Sequence, residues 1–372
     1  MDKRMIRTIE VITGIFLIFI IFLFIISSCS GGRTYTFESL QKKMLTITKN
    51  YYLNHEDELP KEDKGYKTYT LKKMISDGSL KEVTELFKDD NMKCDGSVTV
   101  SNNNGYYIYS PYLNCSSGKT KYESTYLNKK IIETSLVEQG FGLYQDNDEY
   151  YFRGEGDKNY VKFDSKDELY RIIGINADQT IRLLQATTET DVAWDDRYNT
   201  EYISKTGINE FYNNSIDSRI KETLTKEYND SNKWPDEIKA FIVTQDLCVG
   251  KRAENDATKN GSTECSAKVE NQMFGLIAAY EYLRASLDKN CIYTTDDACQ
   301  NYNWLGNLNR NTWTLTADVK DSKSVYKLST ILYSTDAINS TYSNVVFNIS
   351  DKTMYTSGTG TQSDPYVIAV AK

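Results

Sequence analysis

Of all parts of this sequence, the N-terminal segment most limits the class of protein that the chain can belong to. Three basic residues, Lys3, Arg4 and Arg7, precede an almost unbroken apolar run over 11–26, which ends in two serines and Cys29. A basic segment, an apolar segment and small residues follow one another in this order in secretory signal peptides. The apolar run is shorter than the ~20 residues that a helix needs to span a bilayer. The sequence therefore predicts an exported chain.

Two interpretations of residues 1–32 remain open. The Ile-Ser-Ser-Cys ending resembles the lipobox of bacterial lipoproteins, which implies that Cys29 is the lipidated first residue of the mature chain. Alternatively, 6–28 is an uncleaved signal anchor. In both cases the basic residues stay inside, so the segment 1–32 attaches the protein to the cell membrane and the rest functions on the extracellular face.

The other six cysteines form three pairs of sequence neighbours. An oxidising compartment favours disulfide bonds between them, although six cysteines allow fifteen connectivities. A zinc site is the alternative, but the chain has no Cys-x-x-Cys and its one histidine, His55, is far from any cysteine in sequence. We therefore predict no metal site and three local disulfides: Cys94 with Cys115, Cys248 with Cys265, and Cys291 with Cys299.

Composition excludes several functions. The net charge of −8 argues against a nucleic-acid partner, because phosphate binding needs clustered Lys and Arg. A single histidine removes most general-base chemistry, and no glycine-rich loop is followed by the lysine of a phosphate site. We predict no cofactor.

The length outside the membrane segment indicates two domains, which we place at 33–140 and 141–372.

The first domain is predicted to be a helix followed by an antiparallel sheet. Apolar residues recur at helical spacing from Phe37 to Tyr51, with Thr36 as N-cap. A second helical pattern covers 69–87. An Asn-Gly pair between the strand-like runs 96–101 and 106–113 predicts a hairpin, which would bring Cys94 and Cys115 side by side.

This stretch resembles the ectodomains of pilin-like surface proteins of Gram-positive bacteria. The matching motifs are Tyr-Tyr-Leu-Asn, Leu-Pro, Thr-Leu-Lys-Lys-Met-Ile, Cys-Asp-Gly-Ser-Val and Pro-Tyr-Leu-Asn-Cys, at 51–54, 59–60, 70–75, 94–98 and 111–115. Two departures argue against assembly into a pilus. Met5 stands where pilin precursors have the glycine before the processing site, and Cys29 interrupts the continuous helix.

The second domain resembles a bacterial surface domain related to the formylglycine-generating-enzyme branch of the C-type-lectin-like fold. Eight motifs occur in order, at 160–163, 170–175, 180–184, 194–199, 211–213, 274–282, 313–316 and 358–368. The resemblance implies an α+β domain with a twisted antiparallel sheet, flanking helices and long loops. One hallmark differs: relatives have Arg-Pro-Val near the last strands, where this chain has Asn-Val-Val-Phe at 344–347.

Candidate ligand-binding residues lie in the predicted loops of this domain. Aromatic side chains mixed with acids and amides suit sugar stacking or protein contacts. Trp304 follows the short Cys291–Cys299 loop and is expected to be exposed, whereas Trp313 is expected in the core. The alternatives are that these aromatic residues are core, or that the acids are a solvated loop. The candidates are Trp194, Asp195, Asp196, Tyr198 and Trp304.

The expected function is that of a membrane-anchored bacterial cell-surface protein without catalytic residues, whose C-type-lectin-like module binds a glycan, the cell wall or a protein. One alternative is an extracellular hydrolase that uses the acids near Trp194, since glycoside hydrolysis needs two carboxylates ~5–9.5 Å apart. A pocket with two facing carboxylates would favour it. Another alternative is a structural pilin-like subunit.

The lipidated anchor leads to the first testable prediction. Replacing Cys29 with Ala should abolish incorporation of a labelled fatty acid and leave an unprocessed precursor, because the thiol is the attachment point after cleavage. Gel mobility and the N-terminal sequence of the exported protein measure both effects. Wild-type protein that retains residues 1–28 and takes up no lipid would establish the signal anchor instead.

Overall fold

The computed structural model describes residues 34–188, 190–213, 216–308 and 310–370. The predicted membrane segment 1–32 and the predicted lipidation of Cys29 lie outside these residues. Within the described ranges, no helix has both the length and the apolar character that crossing a bilayer requires.

The helices are short apart from the first. In chain order they are α1 (Phe37–Leu53), α2 (Leu71–Ser76), α3 (Val83–Phe87), α4 (Leu127–Ser135), α5 (Arg219–Asn229), α6 (Asp236–Lys239) and α7 (Ala279–Ala285). Single 3-10 turns occur at Glu56–Glu58, Glu264–Ser266, Asp297–Gln300 and Trp304–Asn307.

Strands make up most of the regular structure. The first group is β1 (Tyr66–Thr70), β2 (Lys93–Asn103), β3 (Tyr106–Ser117), β4 (Thr120–Glu123), β5 (Thr125–Tyr126), β6 (Gly142–Asp146), β7 (Glu149–Arg153) and β8 (Tyr160–Phe163). The next is β9 (Tyr170–Ile175), β10 (Ile181–Gln185), β11 (Asp191–Ala193), β12 (Tyr212–Asn213), β13 (Ile216–Asp217), β14 (Ile242–Val243), β15 (Gln245–Cys248) and β16 (Lys268–Gln272). The last is β17 (Thr312–Ala317), β18 (Ser324–Leu328), β19 (Leu332–Asp336), β20 (Ser340–Tyr342), β21 (Val346–Ile349), β22 (Met354–Ser357) and β23 (Tyr366–Ile368).

The smaller unit packs helix α1 on a four-stranded sheet with the order β1-β2-β3-β4. The Thr36 side chain accepts a hydrogen bond from the backbone N–H of Ser39 at 3.2 Å and so begins α1 as predicted. The apolar stripe of α1, which includes Leu40 and Met44, lies in the core against Val98 of β2. The helix prediction is confirmed.

The predicted hairpin is also confirmed. Strands β2 and β3 pair antiparallel, and residues 104 and 105 connect them with φ of 50° and 89°. Asn tolerates this left-handed backbone and Gly adopts it without strain, which is why Asn-Gly suits a two-residue hairpin turn. Cys94 and Cys115 are paired across the two strands.

All three predicted disulfides are present. Cys94–Cys115, Cys248–Cys265 and Cys291–Cys299 have Cα–Cα distances of 4.1, 4.3 and 4.4 Å. Each bond closes a local loop or hairpin, so together they brace three separate regions of the chain.

The larger unit is built on a sheet of ten strands. Its main path is β14-β21-β10-β9-β8-β23-β22-β5, and β6 joins through β7, which also pairs with β9. Strands β9 and β21 are buried along their whole length, as expected for strands covered on both faces. A second sheet, β11-β20-β17-β18-β19, and two two-stranded sheets, β12-β13 and β15-β16, complete this unit.

The segment that follows β4 packs with the larger unit. Strand β5 pairs with β22, and Leu127 and Ile131 of α4 lie in the larger core. The two units also touch directly: Asn103 Nδ2 donates to the Ile242 carbonyl at 2.5 Å, and Lys42 Nζ lies 3.3 Å from Asp164. The sequence analysis places the domain boundary at 140, and the segment 125–135, which it assigns to the first domain, makes these contacts with the larger unit.

The architecture is mixed α+β, with several sheets and few helices, and the predicted fold class is confirmed at this level. The finer assignments, a pilin-like first domain and a C-type-lectin-like second domain, remain predictions from their motifs.

Candidate functional site

The prediction that Trp304 is exposed is wrong. Its side chain is only 1 % exposed, and its indole N–H donates a hydrogen bond to the Phe152 carbonyl at 3.1 Å. That bond removes the cost of burying the polar N–H, so the whole ring can enter the core. Tyr302, two residues earlier, is 55 % exposed and is the aromatic residue that this loop presents to solvent.

A buried arginine holds Trp304 from the other side. The Arg171 guanidinium lies 4.8 Å from the centre of the Trp304 ring and 4.0 Å from that of Tyr160. It donates to Asn159 Oδ1 at 2.8 Å and to the Gly156 carbonyl at 3.0 Å. Burial, which disfavours the charged form, lowers the pKa of Arg171 to about 10. Gly156 has φ of 67°, and a Cβ there would lie 2.7 Å from Cβ of Trp304.

The group around Trp194 is also interior. Trp194 is fully buried and its N–H donates to the Thr314 carbonyl at 2.9 Å. The Asp195 carboxylate is buried and accepts backbone N–H groups from Arg197, Asn199 and Arg219 at 3.3, 2.6 and 3.3 Å. Burial raises the pKa of Asp195, and these hydrogen bonds oppose the rise. Asp195 therefore fixes the backbone of its loop.

Asp196 and Tyr198 have structural partners of their own. Asp196 Oδ1 accepts from Arg219 Nε at 2.8 Å, and the Tyr198 hydroxyl donates to Asp336. Tyr198 has a left-handed backbone with φ of 50°, which an aromatic residue rarely adopts. The structure thus brings the four predicted residues of this loop together, but three of them are buried and Asp196 is paired with Arg219. Trp313 is buried, as predicted, and donates to the Val192 carbonyl at 2.8 Å.

A different part of the larger unit forms an open cleft of about 560 Å³. Five segments meet there: the loop before β9, the end of β10 with the loop after it, the end of α5 with the turn after it, the loop before β17 and the loop before β21. Its lining residues are Lys166, Glu168, Gln185, Ala186, Thr187, Thr188, Glu227, Lys233, Trp234, Arg310 and Asn344.

Three lining residues of this cleft carry a buried polar atom that has no hydrogen-bond partner among the described residues. They are the indole N–H of Trp234, the amide oxygen of Gln185 and the amide oxygen of Asn344. The other end of each amide is paired: Gln185 Nε2 donates to Glu168 at 2.6 Å, and Asn344 Nδ2 donates to the Gln185 carbonyl at 2.9 Å. An unpaired buried donor or acceptor costs about 1–3 kcal/mol, and three of the residues that line this cleft carry such an atom.

Trp234 is held firmly at this cleft. Its ring packs edge-on against Phe274 and Phe347, with centroid distances of 4.7 and 5.2 Å, and lies 6.0 Å from the Tyr170 ring. The Lys166 ammonium lies 5.3 Å from the centre of the indole ring. These contacts fix the direction of the indole N–H, and preorganised polar groups of this kind give a binding site its specificity.

Both acids of the cleft have partners, and Glu227 is buried whereas Glu168 is half-buried. Glu168 accepts from the hydroxyl of Tyr170 at 3.0 Å and pairs with Lys166. Glu227 accepts from the hydroxyl of Thr190 at 3.2 Å and lies 3.9 Å from Lys233. Burial, followed by the charge and hydrogen bond of Glu168, raises the pKa of Tyr170 far above its usual range, so that hydroxyl stays protonated as a donor.

The sequence did not identify this cleft as a site. The five candidates predicted from the sequence lie elsewhere. Asn344, the first residue of the Asn-Val-Val-Phe segment that stands in place of the expected Arg-Pro-Val, does line the cleft. In the parts of the chain that the structure describes, no group of three or more His, Cys, Asp or Glu side chains could hold a metal ion.

Comparison of the chain with protein-family models, curated proteins and solved structures finds no match. The candidate site therefore depends on its geometry.

The burial of Trp304 gives a prediction about stability. Trp304→Ala should lower the free energy of unfolding by roughly 3–5 kcal/mol, because it leaves a large cavity beside Arg171 and unpairs the Phe152 carbonyl. Tyr302→Ala, on the same loop but exposed, should change it by less than about 1 kcal/mol. Urea unfolding of the two variants measures both values. Equal effects would mean that the Trp304 ring is not in the core.

Proposed function

We propose that this chain is a non-catalytic binding protein on the outer face of the cell membrane, and that the cleft beside Trp234 holds a hydroxyl-rich ligand, a cell-surface or cell-wall glycan. One observation carries the proposal: three of the residues that line the cleft each have a buried polar atom without a hydrogen-bond partner in the described chain.

The chemistry of these three atoms favours hydroxyl groups. The indole N–H of Trp234 needs an acceptor, whereas the amide oxygens of Gln185 and Asn344 need donors. A hydroxyl group accepts and donates at once, so neighbouring hydroxyls of one sugar satisfy both kinds of atom. The volume of about 560 Å³ lies within the range of small-ligand sites.

The location outside the cell is supported by two independent features. The three disulfides are the kind of cross-link that persists in oxidising compartments. The basic and apolar segment 1–32 has the composition of an export signal or membrane anchor. Together they support a binding module that is tethered to the membrane and faces outward.

A variant that fills the cleft tests this proposal. Thr187 lines the cleft and is exposed, so Thr187→Trp adds bulk at the site without changing its charge or disturbing the core. Binding to a glycan array or to isolated cell walls should fall by about tenfold or more, since the new ring occupies the volume of the ligand. Thr187→Ser, the matched control, should bind like wild type. If Thr187→Trp binds as tightly as wild type, the cleft is not the ligand site.

A second function is favoured by one feature of the same cleft, the presence of two carboxylates, Glu168 and Glu227. Glycoside hydrolases use such a pair as acid and nucleophile or base. Against this, both oxygens of Glu168 already accept hydrogen bonds, from Gln185 and from Tyr170. Glu227 accepts a hydrogen bond from Thr190 on one oxygen, and its other oxygen lies 3.9 Å from Lys233. These contacts support a structural role for the two acids.

A reducing-end assay separates the two functions. Incubation of the protein with the oligosaccharides that it binds should release no new reducing ends, and Glu227→Gln should leave this result unchanged. Turnover by wild type that disappears in Glu168→Gln or Glu227→Gln would establish a hydrolase and reject the non-catalytic proposal.

A further inference from the structure

Charges at the cleft beside Trp234 are sorted by depth. The carboxylate side chains are the less accessible ones, with exposures of 16 % for Glu168 and 5 % for Glu227. The cationic side chains are more exposed, at 30 % for Lys166 and 52 % for Lys233, and Arg310 is exposed as well. A ligand that approaches from solvent therefore meets positive charge first.

Arg310 is the cation that is least neutralised. Its Nη1 donates to the Thr188 carbonyl at 3.0 Å, and its guanidinium lies 4.5 Å from the centre of the Tyr342 ring. Among the residues that the structure describes, no carboxylate forms an ion pair with it. A guanidinium has five N–H donors in a fixed fork. The carbonyl and the ring orient this fork, and the Thr188 carbonyl is the one hydrogen-bond acceptor that the described residues offer it.

The exposed cations at the cleft contrast with the negative charge of the protein as a whole. The chain carries a net charge of −8, so its overall field repels anions at long range. At physiological ionic strength, charges farther away than about 8 Å are largely screened, so the charges that line the cleft decide its field. The two lysines are paired there with Glu168 and Glu227, and Arg310 adds a positive charge that no carboxylate of the described residues neutralises. Local charge of this sign gives specificity for a ligand group of the opposite sign.

We infer that the ligand is an acidic glycan, in which a sugar carboxylate pairs with Arg310 while the sugar hydroxyls bond to the buried atoms of Trp234, Gln185 and Asn344. The inference rests on the proposed function and adds the charge of the ligand to it. A carboxylate matches the guanidinium fork in a bidentate pair, and Lys233, which is about half exposed, lines the same cleft as a second cation.

The test compares matched sugars on the full-length chain in detergent. Isothermal titration would use oligosaccharides of glucuronic acid, the same length of glucose oligosaccharide, and glucose 6-phosphate as a phosphate-bearing probe. Wild type should prefer the acidic oligosaccharide over the neutral one by about tenfold or more, the factor expected for one charge-assisted hydrogen bond. Arg310→Gln should remove most of that preference while it changes the affinity for the neutral sugar little.

Two further variants control for charge and geometry. Arg310→Lys keeps the charge but not the fork, so it should recover part of the preference. Lys119→Gln removes one charge from an exposed residue in the turn between β3 and β4 of the smaller unit, and it should keep the wild-type preference.

The possible outcomes distinguish failure of the acidic-ligand inference from failure of the proposed glycan-binding function. Equal binding of acidic and neutral oligosaccharides, both blocked by Thr187→Trp, would overturn the acidic ligand and leave the glycan cleft standing. Binding of the phosphate probe without the uronic acid would overturn the carboxylate assignment. No binding of any sugar in these titrations would overturn both proposals.

Discussion

Hydrogen bonding of buried indole N–H groups organises the larger unit. The N–H groups of Trp194, Trp304 and Trp313 each donate to a backbone carbonyl that is more than 100 residues away in sequence. These bonds fasten the loop after β11, the turn that follows the third disulfide and strand β17 to distant parts of the fold. Trp234 is equally buried, but its N–H has no such partner within the described chain. This contrast sets it apart from the three structural tryptophans.

Local sequence signals predicted the local structure. The apolar stripe of α1 and its Thr36 cap, the Asn-Gly turn between β2 and β3, and three disulfides between neighbouring cysteines all depend on residues close together in the chain, and the structure confirms them. Residues 1–32 lie outside the described ranges, so the prediction that they are a signal peptide or membrane anchor depends on the sequence alone.

Burial by distant partners could not be predicted in the same way. The prediction that Trp304 is exposed was wrong because its N–H bonds to the carbonyl of Phe152. No local sequence pattern connects these two residues. The cleft could not be predicted from the sequence for the same reason, since its lining residues come from five separate segments. Asp195 illustrates the converse: an acid beside a tryptophan suggested a binding loop, yet three backbone N–H groups occupy its carboxylate.

The most direct test observes the four indole N–H groups together. In a ¹H–¹⁵N spectrum of protein labelled at tryptophan, each indole gives one resonance, and Trp→Phe variants assign them. Addition of an acidic oligosaccharide should shift the Trp234 resonance downfield, as its N–H gains an acceptor, and leave the three carbonyl-bonded indoles nearly unchanged. If saturating ligand leaves the Trp234 resonance in place, or moves only those of Trp194, Trp304 or Trp313, the cleft is not the binding site.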